Sequence, residues 1–114
     1  MIKYYKEKEN NVFKVNEYFE GNVKSLSFKE EECDASIGVM AKGDYEFGTS
    51  TKEIMTVISG ELVIQLPGSD EWKKFGKSES FTVEANKKFK VKTEVESAYH
   101  CLYVNEHCGC CSCG

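Results

Sequence analysis

The sequence predicts an all-β domain, a sandwich or barrel of short antiparallel strands. Three observations carry this expectation. Apolar and polar residues alternate over segments of about five to seven residues, the period of a half-buried strand. Turn residues punctuate these segments, most clearly at Pro67-Gly68-Ser69-Asp70. No segment repeats apolar residues at a helical period over three turns, so no amphipathic helix competes.

The elements follow in order. Residues 1–14 read as an N-terminal extension, charged and polar up to residue 11, and β signals begin at Val12. Val23, Ser25 and Ser27 alternate with Lys24, Leu26 and Phe28. Residues 35–41 (A-S-I-G-V-M-A) are apolar with β-branched members, and Gly43-Asp44 reads as a turn. Residues 54–58 and 62–66 are the strongest strand candidates, and Ser59-Gly60-Glu61 between them has hairpin spacing. Residues 72–75 can return as a short strand, Gly76 begins another turn, and residues 81–83 are extended. Phe89, Val91 and Thr93 alternate with Lys88, Lys90 and Lys92; these lysines suit the wet side of a strand and can guard a sheet edge. The last strand, residues 98–104, puts Tyr99, Cys101 and Tyr103 on one face and His100, Leu102 and Val104 on the other.

A chain of 114 residues is one domain, here expected over residues 15–104, with a cysteine-rich tail at 105–114. The charge is −4, from 15 basic and 19 acidic residues, and every basic residue is Lys. Without Arg and with net negative charge, a nucleic-acid partner is not expected, and no guanidinium is on hand to clamp an anion. No apolar run approaches the roughly 20 residues of a membrane span, and the first residues lack the apolar stretch of a signal peptide. The expectation is a cytoplasmic protein with no membrane partner.

The segment 43–60, G-D-Y-E-F-G-T-S-T-K-E-I-M-T-V-I-S-G, resembles the first cupin signature in its closing half: Glu53, six residues, then Gly60. Phe47 and Thr49 stand where metal cupins carry two His. The second signature maps onto residues 76–89, with Glu84, Asn86 and Phe89 in its Pro, Gly and His places. Glu53 alone cannot hold a transition metal, which takes three or more donors. The resemblance therefore implies a single-domain jelly-roll barrel with no metal in the barrel and no cofactor.

A closer likeness rests on several blocks in order. They are N-E-Y-F-E-G-N-V-K-S from Asn16, A-S-I-G-V-M from Ala35, M-T-V-I-S-G from Met55, Leu66-Pro67-Gly68, Trp72, and Tyr99-x-Cys101-x-Tyr103. Over about residues 15–104 the chain resembles the pyrimidine/purine nucleoside phosphorylases of bacteria. The resemblance implies reversible phosphorolysis: a purine or pyrimidine ribonucleoside and inorganic phosphate give ribose 1-phosphate and free base, with broad specificity. Asp34 and Leu102 depart from the pattern, since relatives are expected to carry a basic residue there.

Such a reaction must hold phosphate in line with the anomeric carbon, stabilise an oxocarbenium-like transition state and accommodate the base. Lys24, with Ser25 beside it, is the first candidate for phosphate; the alternative is a solvated Lys on a strand face. Thr49 and Thr51 can donate hydroxyls to phosphate or ribose, or can be turn residues. Glu53 is the catalytic candidate, binding the ribose hydroxyls or stabilising charge at the anomeric carbon. Its alternative is a Glu bonded to backbone at a barrel rim. Tyr45, Phe47, Phe89, Tyr99 and Tyr103 can stack on a base, with Met55 beside them, or can be core residues. His100 faces away from this set, and no nucleophilic triad or glycine-rich phosphate loop is present.

In the tail, Cys108, Cys110, Cys111 and Cys113 could bind Zn²⁺ or Cu(I), form transient disulfides or have no role. The expected partners are nucleosides and phosphate, with a homodimer expected from the fold. A different class of protein also fits: a non-catalytic ligand-binding or sensor cupin, with or without a metal-binding tail.

Overall fold

The computed structural model describes residues 12–105. Ten strands succeed one another there: β1 (Lys14–Tyr18), β2 (Val23–Glu30), β3 (Cys33–Met40), β4 (Gly43–Gly48), β5 (Lys52–Ser59), β6 (Glu61–Gln65), β7 (Trp72–Gly76), β8 (Ser80–Val83), β9 (Lys88–Thr93) and β10 (Ser97–Val104). A one-turn 3₁₀ segment, Phe19–Gly21, joins β1 to β2. A six-stranded sheet in the order β1-β2-β3-β10-β5-β8 faces a four-stranded sheet in the order β4-β9-β6-β7, and all pairings are antiparallel. This is the all-β architecture that the alternation and turn spacing anticipate, in the jelly-roll form that the cupin resemblance implies.

Side chains of the two inner faces meet in one core. Val23, Met40, Met55 and Val57 come from the larger sheet, and Leu62, Ile64, Phe89 and Val91 from the smaller. The alternation read along residues 88–93 is realised, with Phe89, Val91 and Thr93 buried and the lysines turned out. Those lysines do not guard an edge, however. β9 lies inside its sheet, where Lys90 and Lys92 stand opposite Glu46 and Asp44 of β4. Opposite charges across a non-edge pair explain their presence better than edge protection.

Two turn expectations are corrected. Gly43-Asp44 opens β4 and is not a turn; the strand goes unseen because its glycines hide the inward pair Tyr45 and Phe47. The two strongest strands are not a hairpin either. β5 pairs with β10 and β8, whereas β6 pairs with β7 and β9 in the other sheet. The chain turns a corner at Gly60, which has φ +86°, and a Cβ there would stand 2.9 Å from both the Glu96 oxygen and Ser97 Cα. Thr93 Oγ1 donates to the Glu61 carbonyl at 2.7 Å, and the Glu61 N–H donates to Ser97 Oγ at 3.1 Å. These bonds satisfy the corner's backbone inside the fold and replace the hairpin's ladder. The turn at Pro67-Gly68 does join a hairpin, β6 to β7, closed by Ser69 N–H to the Leu66 carbonyl at 3.1 Å.

Candidate active site

A cavity of about 450 Å³ opens between the sheets, within the usual range of a small-molecule site. Three cross-strand rows of the six-stranded sheet build its polar wall. The first runs Asn16, Ser25, Gly38, Tyr99. The second runs Ser27, Ser36, Cys101, Met55. The third runs Asp34, Tyr103, Glu53. Successive rows are two residues apart along β10, so the outer two are separated by about 13 Å. The four-stranded sheet supplies an aromatic wall instead, Phe47 and Phe89, whose ring centroids lie 5.8 Å apart.

Glu53 ends the third row, on β5. Burial raises its carboxyl above the ordinary value, and a hydrogen bond from Cys101 Sγ at 3.4 Å draws it partly back. Burial and the neighbouring carboxylate push the Cys101 thiol up, so this free cysteine stays protonated and is no nucleophile. Tyr103 shares a hydrogen bond of 2.9 Å with Ser36 Oγ, and burial raises its phenol as well. Glu53 is therefore a partly desolvated carboxylate with a neutral donor, Cys101, beside it, a setting in which its field on a developing cation is strong.

The structure brings together Glu53, Ser25, Phe47, Met55, Phe89, Tyr99 and Tyr103 on one cavity. It does not bring the rest. Lys24 points to the outer face, since Val23 and Ser25 on either side of it are buried, and its Nζ lies 3.2 Å from Glu17. Thr49 Oγ1 donates to the Glu84 carbonyl at 2.7 Å and accepts from Lys87 N–H at 3.1 Å, so it ties two loops together. Thr51 sits in the bend before β5, outside the cavity lining. Tyr45 is a core residue whose hydroxyl donates to the Ala41 carbonyl at 2.6 Å. Of the two departures, Asp34 pairs with Lys29 Nζ at 2.7 Å, and Leu102 lies half-buried in β10. The tail cysteines Cys108, Cys110, Cys111 and Cys113 lie outside the described residues.

Residues not foreseen as site residues complete the lining: Tyr18, Phe19, Met40, Glu46, Gly48 and Cys101. Tyr18 and Phe19 come from the distinctive N-E-Y-F block. Phe19 and Glu20 hold left-handed φ values of 53° and 59°, rare for side chains of this kind. Asn22 clamps that turn, donating to the Phe19 carbonyl from its backbone N–H at 3.1 Å and from Nδ2 at 2.9 Å. The strained turn sets Phe19 edge-on to Phe47, with centroids 5.4 Å apart, at the cavity rim. Two aromatics followed by a glycine, with no strand or helix period, were the available signal.

Among the described residues no group of three or more His, Cys, Asp or Glu side chains could hold a metal ion. Phe47 and Phe89, in two of the places where metal cupins carry His, line the cavity together with Glu53. No helix of the described residues is long and apolar enough to cross a membrane.

The fold and the cavity define a cupin with a small-molecule site of two carboxylates, Glu53 and Glu46, several neutral hydroxyls and a stacking wall. The family model for pyrimidine/purine nucleoside phosphorylase matches residues 13–103, and the chain belongs to that family. A relative bearing that family's name, from Cellvibrio japonicus, is 58% identical over 92 residues, covering 81% of this chain and 99% of the relative. A solved structure of a protein of unknown function from Vibrio parahaemolyticus is 43% identical, with a TM-score of 0.78, covering 81% of this chain and 98% of that one. The EutQ protein of Clostridium difficile shares the fold alone, at 16% identity and a TM-score of 0.60, covering 74% of this chain and 69% of that one.

Proposed function

We propose that this protein phosphorolyses purine and pyrimidine ribonucleosides in the cavity between its sheets, without a metal or organic cofactor. The observation that carries the reading is the placement of Glu53: a partly buried carboxylate facing the cavity, opposite an aromatic wall. The base stacks on Phe47 and Phe89, which accept either base class because stacking reads only a π-face. Glu53 faces the ribose and stabilises the positive charge that grows at C1′ as the C1′–N bond breaks. A phosphate oxygen forms the new bond to C1′. The base leaves with the electron pair of the broken bond and takes up one proton, and phosphate gives up one, so the reaction balances. Of the expected phosphate contacts, only Ser25 opens on the cavity.

One observation favours a second reading, a ligand-binding cupin without catalysis. No Lys is among the described residues that line this cavity. A phosphate dianion there would meet neutral donors only.

Free-base release from uridine and from inosine, with and without phosphate and in the presence of a chelator, separates the two. Release that requires phosphate and survives the chelator supports phosphorolysis. Nucleoside-dependent thermal stabilisation with no base released supports the binding reading. We place the protein in the cytoplasm and expect a homodimer, which sedimentation of the purified chain tests.

A further inference from the structure

The first cross-strand row has a property that stacking and the Glu53 carboxylate leave unused, and the inference drawn from it rests on the phosphorolytic reading. Asn16, Ser25, Gly38 and Tyr99 are registered neighbours across four strands. Ser25 and Tyr99 are buried, at 5% and 6% exposure, and both line the cavity. Gly38 lies between them. A Cβ at that position would stand 2.5 Å from the Tyr99 hydroxyl and 2.6 Å from Cζ, so only glycine lets the phenol lean across the row toward Ser25.

The row has a direction. The Asn16 amide donates to Ser25 Oγ at 3.1 Å and to Ser27 Oγ at 3.0 Å. Donation into Ser25 takes one of its two lone pairs and leaves its own proton for the phenol oxygen, a hydrogen bond that opposes the rise of the Tyr99 phenol. Tyr99 then keeps its O–H for whatever the cavity holds. Burial pushes this phenol up to about 12, against the opposing effect of the Ser25 hydroxyl, so it remains a donor at neutral pH and not a base.

We propose that the Tyr99 hydroxyl donates a hydrogen bond to the acceptor atom beside the glycosidic nitrogen, O2 of a pyrimidine or N3 of a purine, and that Asn16 and Ser25 position it. Pyrimidines and purines differ in ring number and in most edge groups. They share an acceptor on the atom next to the glycosidic nitrogen. When the C1′–N bond breaks, the departing base gains electron density, and O2 or N3 carries part of it. A donor fixed at that atom binds the transition state more tightly than the ground state. A single donor can therefore serve both base classes, which the aromatic wall does not tell apart. No proton crosses from Tyr99; the bond only strengthens. This assignment gives Ser25 a positioning role and takes it out of the phosphate set.

The test compares adenosine with 3-deazaadenosine, which has C–H in place of N3, in the full chain and in Tyr99→Phe, which keeps the ring over Gly38. Tyr99→Phe is expected to lower kcat/KM for adenosine and uridine by about 30-fold and for 3-deazaadenosine by less than about twofold. Asn16→Ala is expected to lower adenosine turnover by about fivefold and to spare 3-deazaadenosine likewise, an analogue dependence that loss of structure alone would not produce. Equal losses on both nucleosides, or none, overturn the proposal. Equilibrium binding without phosphate supplies the second arm. The unaltered protein is expected to bind adenosine about threefold or more tighter than 3-deazaadenosine, with no such preference in Tyr99→Phe. Equal affinities overturn the contact whether or not base is released. A preserved preference with no base release overturns phosphorolysis alone.

Discussion

The two sheets that enclose the cavity divide its labour. The six-stranded sheet contributes Ser25, Glu53, Tyr99, Cys101 and Tyr103, whereas the four-stranded sheet contributes Phe47 and Phe89 to the wall and Glu46 at its edge. Behind the aromatic wall stand Leu62, Ile64 and Val91, all nearly or fully buried. The polar wall is held by hydrogen bonds between neighbouring rows, Ser36 to Tyr103 and Cys101 to Glu53. One wall thus packs and stacks, while the other carries charge and donors. Substitutions on the first should act on stability and on base binding, and those on the second chiefly on turnover.

Phe89→Ala tests the packing wall and should have the largest effect. Its ring is 3% exposed and touches both Phe47 and Phe81. Its loss should destabilise the fold by about 3–5 kcal/mol, read from urea unfolding. A loss under about 1 kcal/mol would mean the wall is not packed as described.

Glu53→Gln should do the reverse, with turnover falling about 100-fold and melting temperature holding or rising. The sign follows from the carboxyl's raised value. From the ordinary value of 4.5 upward, the unfolded chain releases this proton while the folded chain retains it. Folding stability therefore falls as pH rises between the unfolded and the folded value. Glu53→Gln should remove that fall, so its advantage in melting temperature should appear above about pH 4.5 and vanish below. An advantage that grows on acidification would reverse the assignment.

Ser36→Ala removes one partner of the Tyr103 hydroxyl and should cost about 1 kcal/mol in stability, with a smaller loss in turnover than Glu53→Gln. Lys24→Ala should have the smallest effect. Its ammonium lies on the outer face beside Glu17, and the KM for phosphate should stay within about twofold of the unaltered protein. A tenfold rise would return Lys24 to the site through a contact the described residues do not show.

The walls were unequally legible in the sequence. Tyr99, Cys101 and Tyr103 share a face of a period-two strand, so the polar wall's central strand could be read directly. Glu53 could be placed because it keeps its spacing to Gly60. Which sheet a strand joins is a different matter. β5 and β6 look like a hairpin because local spacing does not register the corner at Gly60, where φ is left-handed and Ser97 and Glu96, far along the chain, leave no room for a Cβ. Tyr18 and Phe19 were missed as lining for a related reason. Their orientation comes from a left-handed turn clamped by Asn22, not from a strand period. Lys24 failed in the opposite way. Its neighbour Ser25 lines the cavity, but alternation sends adjacent residues to opposite faces, so the two could not both reach one cavity.

The most direct test of the account is phosphorus NMR of the protein with uridine, and separately with inosine, in phosphate buffer containing a chelator. The account predicts a new phosphomonoester signal, ribose 1-phosphate, growing in step with free base and lost in Glu53→Gln. Free base appearing with unphosphorylated ribose, or no base at all, would contradict it.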